Sequence, residues 1–146
     1  MIIAKYKPED TKDIIKHISK LVKQTFNINL SSTKDLENIP KIYIVFYTVK
    51  DKGKLIATAA LKRTGKDTAE FSKIYIEKKY RRIGLGRKLA KRLIRKAKTE
   101  KIKQIKFYVY SHNPGAVAFY ESLGFKKTRV YTKGKYPGRT FLELNL

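Results

Sequence analysis

Residues 81–88 read RRIGLGRK, so two glycines one residue apart stand among four cations. Glycine weakens a regular element, and neighbouring like charges repel, so the stretch is unfavourable until something anionic arrives. It falls where a strand pattern, TAEFSKIYIE at 68–77, gives way to a helical period over 84–99. Amides of a first helical turn have no partner inside the helix and carry the positive end of its dipole. Arg81, Arg82, Ile83, Gly84, Leu85, Gly86 and Arg87 therefore form a candidate phosphate cradle, with Lys88 adding a further charge. The common nucleotide loops do not fit it. Leu89 stands where a dinucleotide fingerprint wants its third glycine, residues 104–114 hold no acid, and no G-x-x-x-x-G-K-[ST] occurs. By spacing alone the stretch reads equally as a tight strand-to-helix turn.

The elements around it follow from periodicity. MIIAKY reads as a short first strand, and PEDTKDIIKHISKLVKQTF as a helix with Ile14, Ile15, Ile18, Leu21 and Val22 on one face. Pro8, Glu9, Asp10 and Asp13 suit its N-terminus. The polar stretch 27–40 is ambiguous and has room for a short second helix. KIYIVFYTV, KLIATAALKR and TAEFSKIYIE then form a meander, broken at KDKG and TGKD. In 84–99, Leu85, Leu89, Leu93, Ile94 and Ala97 share a face, while Arg87, Lys88, Lys91, Arg92, Arg95, Lys96 and Lys98 take the rest. QIKFYVY is a strand again, so 70–110 reads as a right-handed parallel crossover. NPGAVAFYESLGF opens with Asn113 as N-cap and Pro114 as first helical residue, and Gly124 closes it. A terminal hairpin flanks GKYPG. The expected class is α/β (α+β), a mixed sheet covered by helices, in one domain spanning 1–146.

Composition narrows the partners. Lysine and arginine number 35 against 12 acids, a formal charge of +23. Heat-adapted chains usually match their lysines with glutamate, and the acids are too few here, so the field points to a polyanion, whether nucleic acid, a phosphorylated ligand or an anionic membrane surface, or else reads as a solvated surface. With no cysteine and only two histidines, no metal is expected. No apolar run is long enough for a membrane span, and MIIAKYKPED lacks a signal-peptide pattern, so a cytoplasmic protein is expected.

Arg81-x-x-Gly84-x-Gly86 followed by Asn113-x-x-Ala116-x-x-x-Tyr120-x-x-x-Gly124-Phe125 resembles the GNAT superfamily of acetyl-CoA-dependent N-acetyltransferases. The motifs cover about 68–126, and the order of elements extends the likeness over the chain. It implies a mostly antiparallel seven-stranded sheet with about four helices, splayed between strands 4 and 5, where the pantetheine arm lies. It implies further that the amides of 82–87 hold the coenzyme pyrophosphate and that Ile74, Tyr75 and Ile76 pair with pantetheine. One of their amides would polarise the thioester carbonyl. Asn113 would touch the cofactor arm, besides capping its helix. Tyr120 would be the general acid, its phenol near pKa 10 being close to a thiol; its stripe with Ala116 and Leu123 also fits a core aromatic.

The base is less defined. Glu70 stands fourteen residues before Gly84, where histone-type members carry a catalytic glutamate; it also reads as a surface acid beside lysine. Twelve residues before the tyrosine, where the ribosomal-protein N-terminal acetyltransferases carry a glutamate, this chain has Tyr108. Glu77, Glu121 and His112 are weaker candidates, and His17 sits between core positions and needs no function. Tyr131 and Tyr136 are candidate acceptor contacts or hairpin packing, and Arg139–Thr140 replaces the acidic hairpin residue of the peptide acetyltransferases. The acceptor is expected to be a primary amine, including a protein amine. The rival reading is a basic nucleic-acid-binding module on a catalytically inactive fold of this type, since KIKQIKFYVY interleaves cations with aromatics.

Overall fold

β-Branched and aromatic runs become strands, and stretches with a 3.6-residue apolar period become helices, in the computed structural model, which describes residues 1–111, 113–134 and 138–146. The strands are β1 (Ile2–Lys5), β2 (Val45–Asp51), β3 (Lys54–Arg63), β4 (Thr68–Ile76), β5 (Gln104–Tyr110), β6 (Lys126–Tyr131) and β7 (Arg139–Asn145). The helices are α1 (Thr11–Phe26), α2 (Ile39–Ile42), α3 (Leu85–Thr99) and α4 (Pro114–Ser122). The sheet order is β1-β2-β3-β4-β5-β7-β6. β4 and β5 run parallel, while β1–β2, β2–β3, β5–β7 and β6–β7 are antiparallel. The expected mixed, mostly antiparallel sheet of seven strands with four helices is therefore the fold.

Two compact units make up the chain: Met1–Arg63 with Phe71–Lys96, and Thr64–Glu70 with Ala97–Leu146. In the first, Ile14, Ile18 and Val22 of α1 close on Leu36, Ile39, Tyr43, Phe46, Leu55 and Ala60. The β2–β3 turn is made by Lys52 and Gly53, both left-handed at φ 50 and 80°, as a tight hairpin requires. α1 stops at Asn27, also left-handed, whose amide reaches the Lys23 carbonyl at 2.9 Å. Two local features were not legible beforehand. Pro8–Asp10 forms a separate 3-10 turn ahead of α1, and Lys78–Tyr80 forms another after β4. The ambiguous 27–40 stretch yields only the four-residue α2, which begins at Ile39.

α3 shows how the core overrides an unfavourable surface. Leu85, Leu89, Ala90 and Leu93 are buried, each leucine contributing about 2 kcal/mol. The (i, i+3) and (i, i+4) pairs among its six cations from Arg87 to Lys96 oppose this by roughly 0.2–0.5 kcal/mol each. Burial wins, but no acid stands in the first turn to relieve the repulsion.

In the second unit, β5 is central. It pairs with β7 along its length, from Gln104↔Asn145 to Tyr110↔Arg139, and β7 pairs in turn with β6. Among the described residues it pairs with β4 at Thr68↔Gln104 and Ala69↔Ile105, where β4 enters the unit. Ile102, Ile105, Phe125 and Leu142 are buried, and Ile102 N–H bonds the Ala97 carbonyl at 3.0 Å to fix the end of α3. Among the described residues no helix is long and apolar enough to cross a membrane.

Candidate active site

β4 alternates in burial over Thr68–Phe71 and then becomes uniformly half-buried from Ser72 to Ile76. The change coincides with Lys73, whose backbone is left-handed at φ 53°, a conformation costing a non-glycine residue about 1 kcal/mol or more. Its surroundings hold it there. Thr58 Oγ1 donates to the Lys73 carbonyl at 2.8 Å, and the Lys73 ammonium lies 3.2 Å from Asp35. The Asp35 carboxyl stays below its ordinary pKa despite partial burial, because the Tyr43 hydroxyl donates to it at 2.6 Å and Lys73 stands beside it.

Ile74, Tyr75 and Ile76 follow, all half-buried. The Tyr75 carbonyl accepts from His17 Nε2 at 3.1 Å, and the Ile76 carbonyl accepts from Arg81 Nε at 2.8 Å. Both backbone oxygens are thus held by side chains from other elements. His17 is the residue that sequence reasoning passed over. Its Nε2 must carry the hydrogen, because a carbonyl only accepts, so Nδ1 is left as a buried acceptor with no partner among the described residues. Burial pushes its pKa below 6.5, opposed by the Tyr75 carbonyl and Glu77. A lone histidine on an apolar helix face carries no sequence mark of such a bond.

The strand-to-helix turn then takes the form the spacing suggested. Arg82 is left-handed at φ 63° and Gly84 at φ 85°. Two left-handed residues at alternate positions turn the chain sharply from β4 into α3, and backbone turns of this kind can bind anions. At Gly84 a Cβ would meet nothing within 4 Å, so the glycine serves the backbone conformation and leaves the approach open. Gly86 is instead the second residue of α3. The first bond of the helix runs from Lys88 N–H to the Gly84 carbonyl at 3.0 Å, so the Leu85 and Gly86 amides lie ahead of the ladder. Leu85 is buried and anchors the turn, whereas Arg82 and Ile83 are exposed and Arg87 is half-buried. Arg81 is exposed too, yet its guanidinium is bonded back to β4.

The second unit carries the remaining candidates. Asn113 caps α4, its Oδ1 accepting from Ala116 N–H at 3.1 Å. After α4, Gly124 is left-handed at φ 100°, and Phe125 N–H returns to the Tyr120 carbonyl at 3.1 Å. This locks Tyr120 among aromatic rings: Phe107 at 4.8 Å, Phe119 at 5.0 Å and Phe125 at 5.7 Å between centroids. Tyr120 is 8% exposed, and burial pushes its phenol up to about 12. The match to a thiol expected from the free phenol near 10 is therefore shifted by desolvation. The phenol stays protonated across the physiological range.

Glu70 is half-buried at the start of β4, and its charge acts on Tyr108. Tyr108 occupies the β5 position discussed above. Its phenol is raised mainly by desolvation, and the Arg139 guanidinium lies 4.5 Å over its ring. Tyr110 and Phe141 flank it at 6.0 and 5.5 Å between centroids. Tyr131 ends β6, packs on Phe141 at 5.3 Å, and its hydroxyl accepts from Arg129 at 3.2 Å. The second unit thus gathers Glu70, Tyr108 and Arg139, a grouping the sequence did not announce. Tyr136 and His112 lie outside the described residues. Among the described residues, no group of three or more histidines or acids could hold a metal.

The sequence matches the acetyltransferase (GNAT) family over residues 16–125. Solved structures share the fold over nearly the whole chain. A GNAT-family acetyltransferase from Staphylococcus aureus is 24% identical, with a TM-score of 0.83 over 99% of this chain and 98% of that one. The PaiA N-acetyltransferase of Thermoplasma acidophilum, solved in complex with coenzyme A, is 21% identical at a TM-score of 0.80, covering 99% and 98%. The ribosomal-protein-S18-alanine N-acetyltransferase of Escherichia coli is 25% identical at a TM-score of 0.80, covering 99% and 92%. With the family matched over most of its length, this chain belongs to the acetyltransferase (GNAT) family.

Proposed function

We propose that the chain transfers an acetyl group from acetyl-CoA to a primary amine, a peptide N-terminus or lysine, by direct attack in a ternary complex, and that residues 1–146 work as one domain. The observation that carries this reading is the left-handed pair Arg82 and Gly84 leading into α3. It supports a turn open to an anion, at the position where the likeness to the family implies a pyrophosphate. Amides of 82–87 hold the pyrophosphate, backbone groups of Ile74, Tyr75 and Ile76 pair with pantetheine, and Asn113 touches the arm. His17 and Arg81 steady the carbonyls of that strand end.

In the reaction, Glu70 takes a proton from the acceptor ammonium. The freed nitrogen lone pair attacks the thioester carbon, and the C–S bond then breaks with its electrons going to sulfur. Tyr120 donates its proton to the thiolate, the nitrogen sheds its second proton to solvent, Glu70 releases its proton to solvent, and water reprotonates Tyr120. A phenol near 12 holds its proton until charge develops on sulfur, and the low-dielectric aromatic box strengthens the bond it then donates. Tyr131 and Tyr136 border the acceptor. Two relatives are named as acetyltransferases of ribosomal-protein alanine, which favours a peptide N-terminus.

The test is mass spectrometry of peptides with a free N-terminal alanine, or with that terminus blocked and a lysine available, after incubation with acetyl-CoA. A single added acetyl group on either supports transfer to an amine and tells the two acceptors apart. Tight acetyl-CoA binding with no acetylation of either peptide or of small primary amines would favour the catalytically inactive basic module.

A further inference from the structure

α3 carries a cationic face that the acetyltransferase reading uses only at its first residue, Lys88, on the edge of the cradle. Lys88, Lys91 and Arg95 are all exposed and recur at i, i+3 and i+7, which places them on one side of the helix. Seven residues at 1.5 Å make the stripe about 10 Å long. None of the three forms an ion pair with a described acid; the described ion pairs engage Lys20, Lys50, Lys73, Lys103 and Lys106 instead. Exposed Lys78 and Arg82 extend the positive field in the same unit.

We infer that this stripe binds the phosphate backbone of a duplex nucleic acid, independently of base sequence, and so brings the enzyme to a nucleic-acid-rich target. Charge complementarity selects the partner. The helix's apolar residues Leu85, Leu89 and Leu93 are buried in the core. Ile94 is half-buried, and the exposed Ile83 precedes the helix rather than lying on the stripe, so the stripe itself offers charge and not apolar surface. Phosphate contacts from exposed, flexible cations carry no sequence information of their own. Three such contacts contribute a salt slope of about −2.7 on a duplex, from roughly −0.9 each.

The experiment is fluorescence anisotropy of the full chain with labelled 20-base-pair duplexes, DNA and RNA, each in two unrelated sequences, across a salt series. Wild type should bind both sequences of a duplex alike, and saturating acetyl-CoA should leave that binding in place. Lys91→Gln with Arg95→Gln should flatten the slope by about 1.8 and weaken binding tens-fold at about 0.1 M salt. Thermal stabilisation by acetyl-CoA should be unchanged in the double variant, which separates this inference from the coenzyme cradle. Binding equal to wild type with an unchanged slope would overturn it, as would displacement of the duplex by acetyl-CoA. Equal binding of phosphatidylserine vesicles or polyglutamate, lost in the same variant, would overturn the assignment to nucleic acid.

Discussion

The cradle at 81–88 and the pocket around Tyr120 solve opposite problems. The candidate cradle is largely exposed, cationic and shaped by backbone: Arg82 and Gly84 are left-handed, and a Cβ at Gly84 would meet none of the described atoms within 4 Å. The Tyr120 pocket is buried and aromatic, and it acts through what it excludes; desolvation alone lifts the phenol to about 12. A binding site for a charged group is built by leaving polar backbone unfinished. On the proposed reading, a proton donor is built by finishing the packing around one hydroxyl. Substitutions should therefore separate the two: changes in the cradle alter affinity, and changes in the pocket alter turnover.

The largest effect is expected at Tyr120. Tyr120→Phe keeps the ring packing and should lower kcat by about 10²–10⁴-fold, while acetyl-CoA binding measured by calorimetry stays within a few-fold. Because the phenol is pushed up to about 12, wild-type kcat should show no alkaline loss attributable to this group below about pH 10. Equal turnover in Tyr120→Phe would remove it from the chemistry.

Gly84→Val reverses the pattern. A β-branched residue at φ 85° is strained by about 1–3 kcal/mol, and its side chain occupies the open approach. Acetyl-CoA affinity should fall by at least about tenfold, with the chain still folded by circular dichroism. Unchanged affinity would mean that the pyrophosphate lies elsewhere.

Glu70→Gln should lower kcat/KM most at low pH, where wild type depends on a carboxylate accepting the ammonium proton. A pH profile parallel to wild type would leave Glu70 as the electrostatic neighbour of Tyr108 only.

The smallest effect concerns His17. Its folded pKa lies below the 6.5 of the free group, so the unfolded chain takes up the proton first as pH falls. Stability from this group is complete above about pH 6.5 and is lost below it. Denaturant midpoints should drop on acidification in wild type, and His17→Gln should flatten that drop. Histidine titration by NMR at or above 6.5 for His17 would contradict the burial argument.

Legibility in the sequence divides along the same line. The strand-to-helix turn at 81–88 was readable because its glycines mark backbone conformation directly, and so were strands β3 and β5, whose β-branched and aromatic runs end at clear turn residues. The role of Gly86 was not: spacing could not tell a nest residue from the second residue of a helix. The His17–Tyr75 bond joins residues 58 apart, and the shift at Tyr120 depends on Phe107 and Phe125 arriving from β5 and the α4–β6 loop. Such effects come from packing at long separation. Periodicity finds the elements but not which polar atom each one buries.

The central claim, that 82–87 grips the diphosphate of acetyl-CoA, is tested most directly by thermal stabilisation at high ionic strength, with tripolyphosphate alongside. Acetyl-CoA should raise the unfolding free energy by about 2.7 kcal/mol at a hundred times its Kd, and tripolyphosphate by far less, because it lacks the pantetheine arm that pairs with β4. Equal stabilisation by the two anions would show only a basic surface collecting phosphate, and the account would fail.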